Sequence, residues 1–195
     1  MSIRRILFPI SRLDDLEQGA EFAFVLARHH GAEVEGVFAQ GAARIGEWLD
    51  NWGLSEGEIE TLEQKAKQRT RDAEQRIESA FRDLATRHPE VTAHFRSTAD
   101  GPARPLFDLA IHADITVLGN LAHGENAHLN ARLTQSARPL LVAPPRPVDK
   151  GFGGRIVIAW NQSPEAARAV AAAMPLIDRA ERVVVVSVSK HADDQ

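Results

Sequence analysis

The sequence contains no cysteine, which excludes disulfides, thiolate catalysis and cysteine-held metals at once. It also lacks an excess of positive charge. The formal net charge is −4 over 195 residues, the wrong sign for a protein that binds nucleic acid by neutralising phosphates. No apolar run approaches the roughly 18–20 residues that span a bilayer. The opening Met1-Ser2-Ile3-Arg4-Arg5 passes straight into a strand-like run with no leader pattern. The expectation is a cytoplasmic protein with neither a membrane nor a nucleic-acid partner. Missing too are a G-x-G-x-x-G fingerprint, a P-loop lysine and a G-x-S-x-G elbow, which disfavours nicotinamide, P-loop and triad chemistry. Ser11 beside Asp14 and Asp15 is therefore read as a turn, and Gly151-Phe152-Gly153-Gly154, which precedes a strand, as a hinge.

What is present is the composition of a globular chain, 44% hydrophobic and 26% charged, long enough for one domain and something more. Ile6-Leu7-Phe8-Pro9-Ile10 is apolar without alternation, as in a strand covered on both faces. Pro9 lacks a ladder donor and belongs near that strand's end. A helix is expected from Leu16 to His29, capped by Asp14 or Asp15, with Glu17 in its first turn and Gly31 as its stop. Val34–Ala39 is the second strand. Trp48 and Trp52 lie one helical turn apart, and read either as a short helix or lid at the domain edge or as an aromatic wall.

Ser55-Glu56-Gly57-Glu58 has the form of a capping box. It opens a single apolar stripe, Ile59, Leu62, Ala66, Ala73, Ile77, Ala80, Phe81 and Leu84, on a helix of about thirty residues, about 45 Å long. That exceeds what a small sheet needs. Its far end is either a solvated face or a surface for a second subunit. His88-Pro89 stops the helix, Val91–Arg96 is a third strand, and Ala103–His112 a further helix. Ala113-Asp114-Ile115-Thr116-Val117-Leu118-Gly119-Asn120 is a buried strand opening onto a loop, followed by a helix near 127–136 and a fifth strand at 139–143. Strands alternating with helices call for a parallel sheet covered on both faces.

The chain then begins again. Arg155-Ile156-Val157-Ile158-Ala159-Trp160-Asn161 echoes Arg5–Ser11, Ser163-Pro164-Glu165 is a helix start, and Arg182–Val188 matches the second strand. The expected organisation is a domain over 1–146, a linker over 147–154 and a partial β-α-β repeat over 155–195. Two strands and a helix bury too little to stand alone, so another surface must cover them. The histidines do not assemble a metal pattern: His29-His30 end a helix, and His123 and His128 are not at i, i+4.

Taken together, Ile6–Ile10, Gly31-Ala32-Glu33-Val34, Ala113–Gly119, Arg138-Pro139-Leu140-Leu141-Val142 and Ile156–Ala166 resemble the tandem members of the universal stress protein family. The resemblance implies a five-stranded Rossmann-like, flavodoxin-type sheet, and dimerisation, often through the strand at 139–143. It also implies a nucleotide crevice at Pro9, Ile10, Ser11, Ala39, Gly119, Asn120 and Gly124. Many members bind ATP. Here Ser11, and Asn161 in the repeat, stand where binders carry an Asp, Ala39 stands at the adenine contact, and only Gly124 remains of the glycine loop. Close approach to phosphate needs absent side chains and positive φ, so a shortened loop with one glycine is a poor cradle. The expected function is a non-enzymatic, dimeric stress-response module with a degenerate crevice and no firm cofactor, with an unknown protein partner. The alternative is an ATP-binding switch with weak hydrolysis; a small-molecule hydrolase would rest on fold analogy alone.

Overall fold

The structure, a computed structural model, describes residues 2–39, 55–97, 104–119, 136–144 and 152–187. It divides into two units, Arg4–Pro147 and a second made of Met1–Ile3 with Val148–Gln195. The expected elements at Trp48 and Trp52 and near 127–136 fall outside the described residues, as do Asn120 and Gly124.

The first unit is built on five parallel strands in the order β3-β2-β1-β4-β5. They are β1 (Arg5–Ile10), β2 (Glu33–Phe38), β3 (Ala93–Ser97), β4 (Ile115–Leu118) and β5 (Leu140–Val142). Helix α1 (Leu13–His30) links β1 to β2, α2 (Glu56–Arg87) lies between β2 and β3, and α3 (Arg104–His112) between β3 and β4. The order reverses after β3, and right-handed crossovers then put α1 and α2 on one face and α3 on the other. Packing agrees. A Cβ on Gly36 of β2 would strike the Phe81 ring of α2 at 2.6 Å, whereas Leu7 and Val37 cluster with Leu106 and Ala110 of α3. β1 is sealed on both faces, with Ile6, Leu7, Phe8 and Ile10 fully buried, which is why its sequence runs apolar without a period.

Several boundaries differ from expectation. α1 starts at Leu13, capped by Arg12, so neither Asp14 nor Asp15 is the cap. Asp15 instead sits at the third helical position, and its carboxylate accepts from the Ser11 and Arg12 N–H groups at 3.1 Å each. The acidic residues of the first turn are Asp14 and Asp15, not Glu17. Gly31 ends the helix at φ 63°, the left-handed geometry that suits glycine. β2 ends at Phe38, and β3 begins at Ala93 rather than Val91.

α2 is 32 residues long, about 48 Å at 1.5 Å per residue. Its capping box forms, Glu58 accepting from the Ser55 N–H at 2.9 Å and hydroxyl at 2.7 Å. Only Ile77, Phe81 and Leu84 are buried. At its end His88 stacks on Phe24 of α1, ring centroids 5.0 Å apart, with Nε2 3.2 Å from Glu21.

In the second unit β6 (Arg155–Trp160) pairs in parallel with β7 (Arg182–Ser187), joined by α4 (Pro164–Ile177). Ser163 caps α4 through Oγ, which accepts from the Ala166 N–H at 3.1 Å. Pro175 does not stop the helix, which runs two residues further. Every residue of β7 is exposed and α4 buries none of its own.

Candidate functional site

In an open parallel sheet, ligands bind beyond the carboxyl ends of the strands where strand order reverses. Here that point lies between β1 and β4. Their pairing ends at Leu7↔Thr116, so Pro9 lacks its donor where the β1–β4 ladder has already stopped. Beyond it the two strands are free to part, and a crevice is expected.

Four of the anticipated residues line one end of the sheet. Pro9 and Ile10 are buried at the end of β1 and Ser11 is half-buried in the loop that follows. Ala39 is held beside them, its N–H donating to the Ile10 carbonyl at 3.0 Å. Gly119, the fifth, is buried just past β4.

α1 packs closely against the end of β4 at this point. A Cβ on Gly119 would meet the Asp15 carbonyl oxygen at 2.6 Å, and one on Gly19 would meet the Gly119 Cα at 2.6 Å. Glycine at both positions lets the first turns of α1 settle onto the end of β4. The Asp15 side chain, 5% exposed, spends its carboxylate on the N–H groups of Ser11 and Arg12. Burial raises its pKa, opposed by those two hydrogen bonds and by the nearby Arg12 guanidinium. An anion at the start of α1 would therefore compete with a resident carboxylate for the same donors. Sequence reasoning missed this role of Asp15. The available signal was an acid four residues after Ser11 and three after the cap, the spacing of a capping box.

The same economy recurs at the second β-α junction. Asn161 Oδ1 accepts from the Ser163 N–H at 3.1 Å and from its hydroxyl at 2.7 Å. The residue aligned with Ser11 is consumed by its own turn.

Two depressions adjoin this framework. One of about 290 Å³ lies between Ser11–Asp14 and Ala73, Arg76 and Ile77 of α2, small for a nucleotide, with Arg12 and Asp14 facing each other at 3.6 Å. The other, about 580 Å³, is at the opposite, amino end of the strands and includes Arg4, Arg5, Glu33 and Asp114. Its carboxylates Asp114 and Glu33 are engaged: Asp114 accepts from the backbone N–H groups of Arg4 and Arg5 at 2.8 and 3.0 Å, and the Arg5 guanidinium pairs with Glu33 at 2.7 Å. Among the described residues no three His, Asp or Glu side chains converge as a metal site, and no helix is long and apolar enough to cross a membrane.

No family model matches the sequence and no curated protein matches it. Solved structures do. A universal stress protein from Archaeoglobus fulgidus DSM 4304 superposes on 100% of this chain and 69% of its own, with a TM-score of 0.59 at 15% identity. One from Burkholderia pseudomallei aligns over 74% of this chain and 97% of its own at 15% identity and a TM-score of 0.48. A universal stress protein in complex with cAMP aligns over 75% and 100% at 16% identity and a TM-score of 0.41. Only the first superposition is close enough to carry weight. With the strand order and the helices on both faces, it shows that this chain has the fold of the universal stress proteins.

Proposed function

We propose that this chain is a universal-stress-protein-like stress-response protein of the cytoplasm, acting as a non-enzymatic, dimeric interaction module whose nucleotide crevice is degenerate. The observation that carries this reading is the seating of α1 on the end of β4, with Asp15 taking the Ser11 and Arg12 N–H groups. Those donors are where a Rossmann-like fold offers a phosphate its first contacts. The sequence of the loop after Gly119 adds one glycine only, Gly124. Exposed valines on β7 and Val142 on β5 (44% exposed) supply apolar surface for association.

Calorimetric titration with ATP and Mg²⁺ tests it, after confirming that no nucleotide co-purifies. No heat up to millimolar ATP is the expected result. Binding at micromolar affinity would overturn it in favour of a nucleotide switch with weak hydrolysis.

A further inference from the structure

The first half of α2 carries an apolar stripe with no fully buried residue. Leu62 is 38% exposed, while Ile59, Ala66, Thr70 and Ala73 along the same line are only partly buried. The buried residues of this helix, Ile77, Phe81 and Leu84, all lie in its second half. A helix in water without a packed face is marginal, and this stripe has the three- and four-residue spacing of a seam made for another helix.

Charge in the same segment is ordered in blocks. Glu56, Glu58, Glu60 and Glu63 come first, then Lys65, Lys67, Arg69 and Arg71. Within the second half of the helix Arg82 pairs with Glu78 at 2.6 Å. By contrast, Lys65, Lys67, Arg69 and Arg71 make no ion pair or hydrogen bond with any described residue. Glu58 serves the Ser55 cap and Glu60 accepts from Gln64 at 3.3 Å, which leaves Glu56 and Glu63 equally unengaged.

From this pattern we infer that the first half of α2 docks antiparallel on the same segment of a second copy of this chain. A twofold axis between Glu63 and Gln64 sets Glu56, Glu58 and Glu60 of one copy opposite Arg71, Arg69 and Lys67 of the other, and brings Leu62 within one residue of Ala66. Parallel docking would instead stack acid on acid and base on base, which charge forbids. The self-complementary order of the blocks is what a twofold, isologous contact requires. The inference rests on the dimer reading above and locates its surface.

Two charge-reversed variants test it. One carries Glu56→Lys, Glu60→Lys and Glu63→Lys, keeping Glu58 for the cap; the other carries Lys65→Glu, Lys67→Glu, Arg69→Glu and Arg71→Glu. Circular dichroism checks that each stays folded, and the second keeps the test open if the first frays its helix. Mass by light scattering at micromolar concentration should show a wild-type dimer, each variant alone a monomer, and their equimolar mixture a dimer again. Variants that remain dimers alone would place the contact elsewhere, for example on β5, and overturn the inference while the dimer reading stands. A monomeric wild type would overturn both. Because the chain has no cysteine, Leu62→Cys mixed with Ala66→Cys should crosslink more than ten-fold faster than Leu62→Cys with itself. The reverse order of rates would mean parallel docking and would also overturn the inference.

Discussion

Asp15 is a carboxylate held almost out of water by two backbone donors. Because burial raises its pKa, the native state holds the Asp15 proton more tightly than the unfolded chain does. Stability linked to this group therefore falls as pH rises from the ordinary Asp range through the raised value, and is greatest below it. Asp15→Asn keeps an oxygen for Ser11 and Arg12 and removes the charge. Chemical denaturation of that variant should show a flatter pH profile than wild type as pH rises above the ordinary Asp range. Asp15→Ala leaves both N–H groups without their acceptor and should cost about 1–3 kcal/mol at neutral pH. Equal profiles in wild type and Asp15→Asn would mean the carboxylate is not the titrating group. Gly119 belongs to the same contact: with the Asp15 carbonyl 2.6 Å from any Cβ, Gly119→Ala must push α1 off β4. It is expected to cost about 1–3 kcal/mol, read from the denaturation midpoint. The capping role of Asp15 is local and its spacing was legible in the sequence. The packing role of Gly119 was not, because its meaning comes from a contact with Asp15 about a hundred residues away.

At the level of elements, regular periods were read well and ends were not. The stripe of α2 and the Ser55–Glu58 box follow directly from spacing and capping chemistry, and both form. The start of α1 did not follow, because Asp14 and Asp15 are both good caps by type and only the fold makes Arg12 the last non-helical residue. Pro175 is accommodated inside α4 by its place near the helix end. Two residues from a helix end it forfeits a single hydrogen bond, so the helix passes through it. The stripe also concealed a division of labour, since its fully buried residues, Ile77, Phe81 and Leu84, all lie in the second half. Phe81 is the anchor there, 1% exposed, against Gly36 and 5.7 Å from the rings of both Phe24 and Phe95. Phe81→Ala should cost about 3–5 kcal/mol by denaturant unfolding, whereas Leu62→Ala at low protein concentration should cost under about 1 kcal/mol. A similar cost at both positions would contradict the division.

For the molecule as a whole, the two units differ sharply in how much each can bury. The first encloses β1 on both faces. The second leaves Val157 at 67% and Val185 at 62% exposed, and two strands with one helix are below what stands alone in water. A fragment ending at Pro147 is expected to unfold cooperatively with native-like circular dichroism, and one beginning at Val148 to be unstructured by the same measure. A folded second fragment would show that β6, α4 and β7 supply more stability than their burial implies. The β-α-β of the second unit was legible because Arg155–Asn161 has the same apolar pattern as Arg5–Ser11.

The strand order also sets a schedule for synthesis. β1 sits between β2 and β4, and its partner in β4 lies 109 residues further on, Ile6 opposite Ile115. At about 5–20 residues per second a ribosome needs about 5–20 s to deliver β4 after β1 has emerged. Throughout that interval a strand that ends up covered on both faces has one seam paired with β2 and the other open. The nascent protein therefore presents its future centre as an edge, and this is the period in which it has most need of a chaperone.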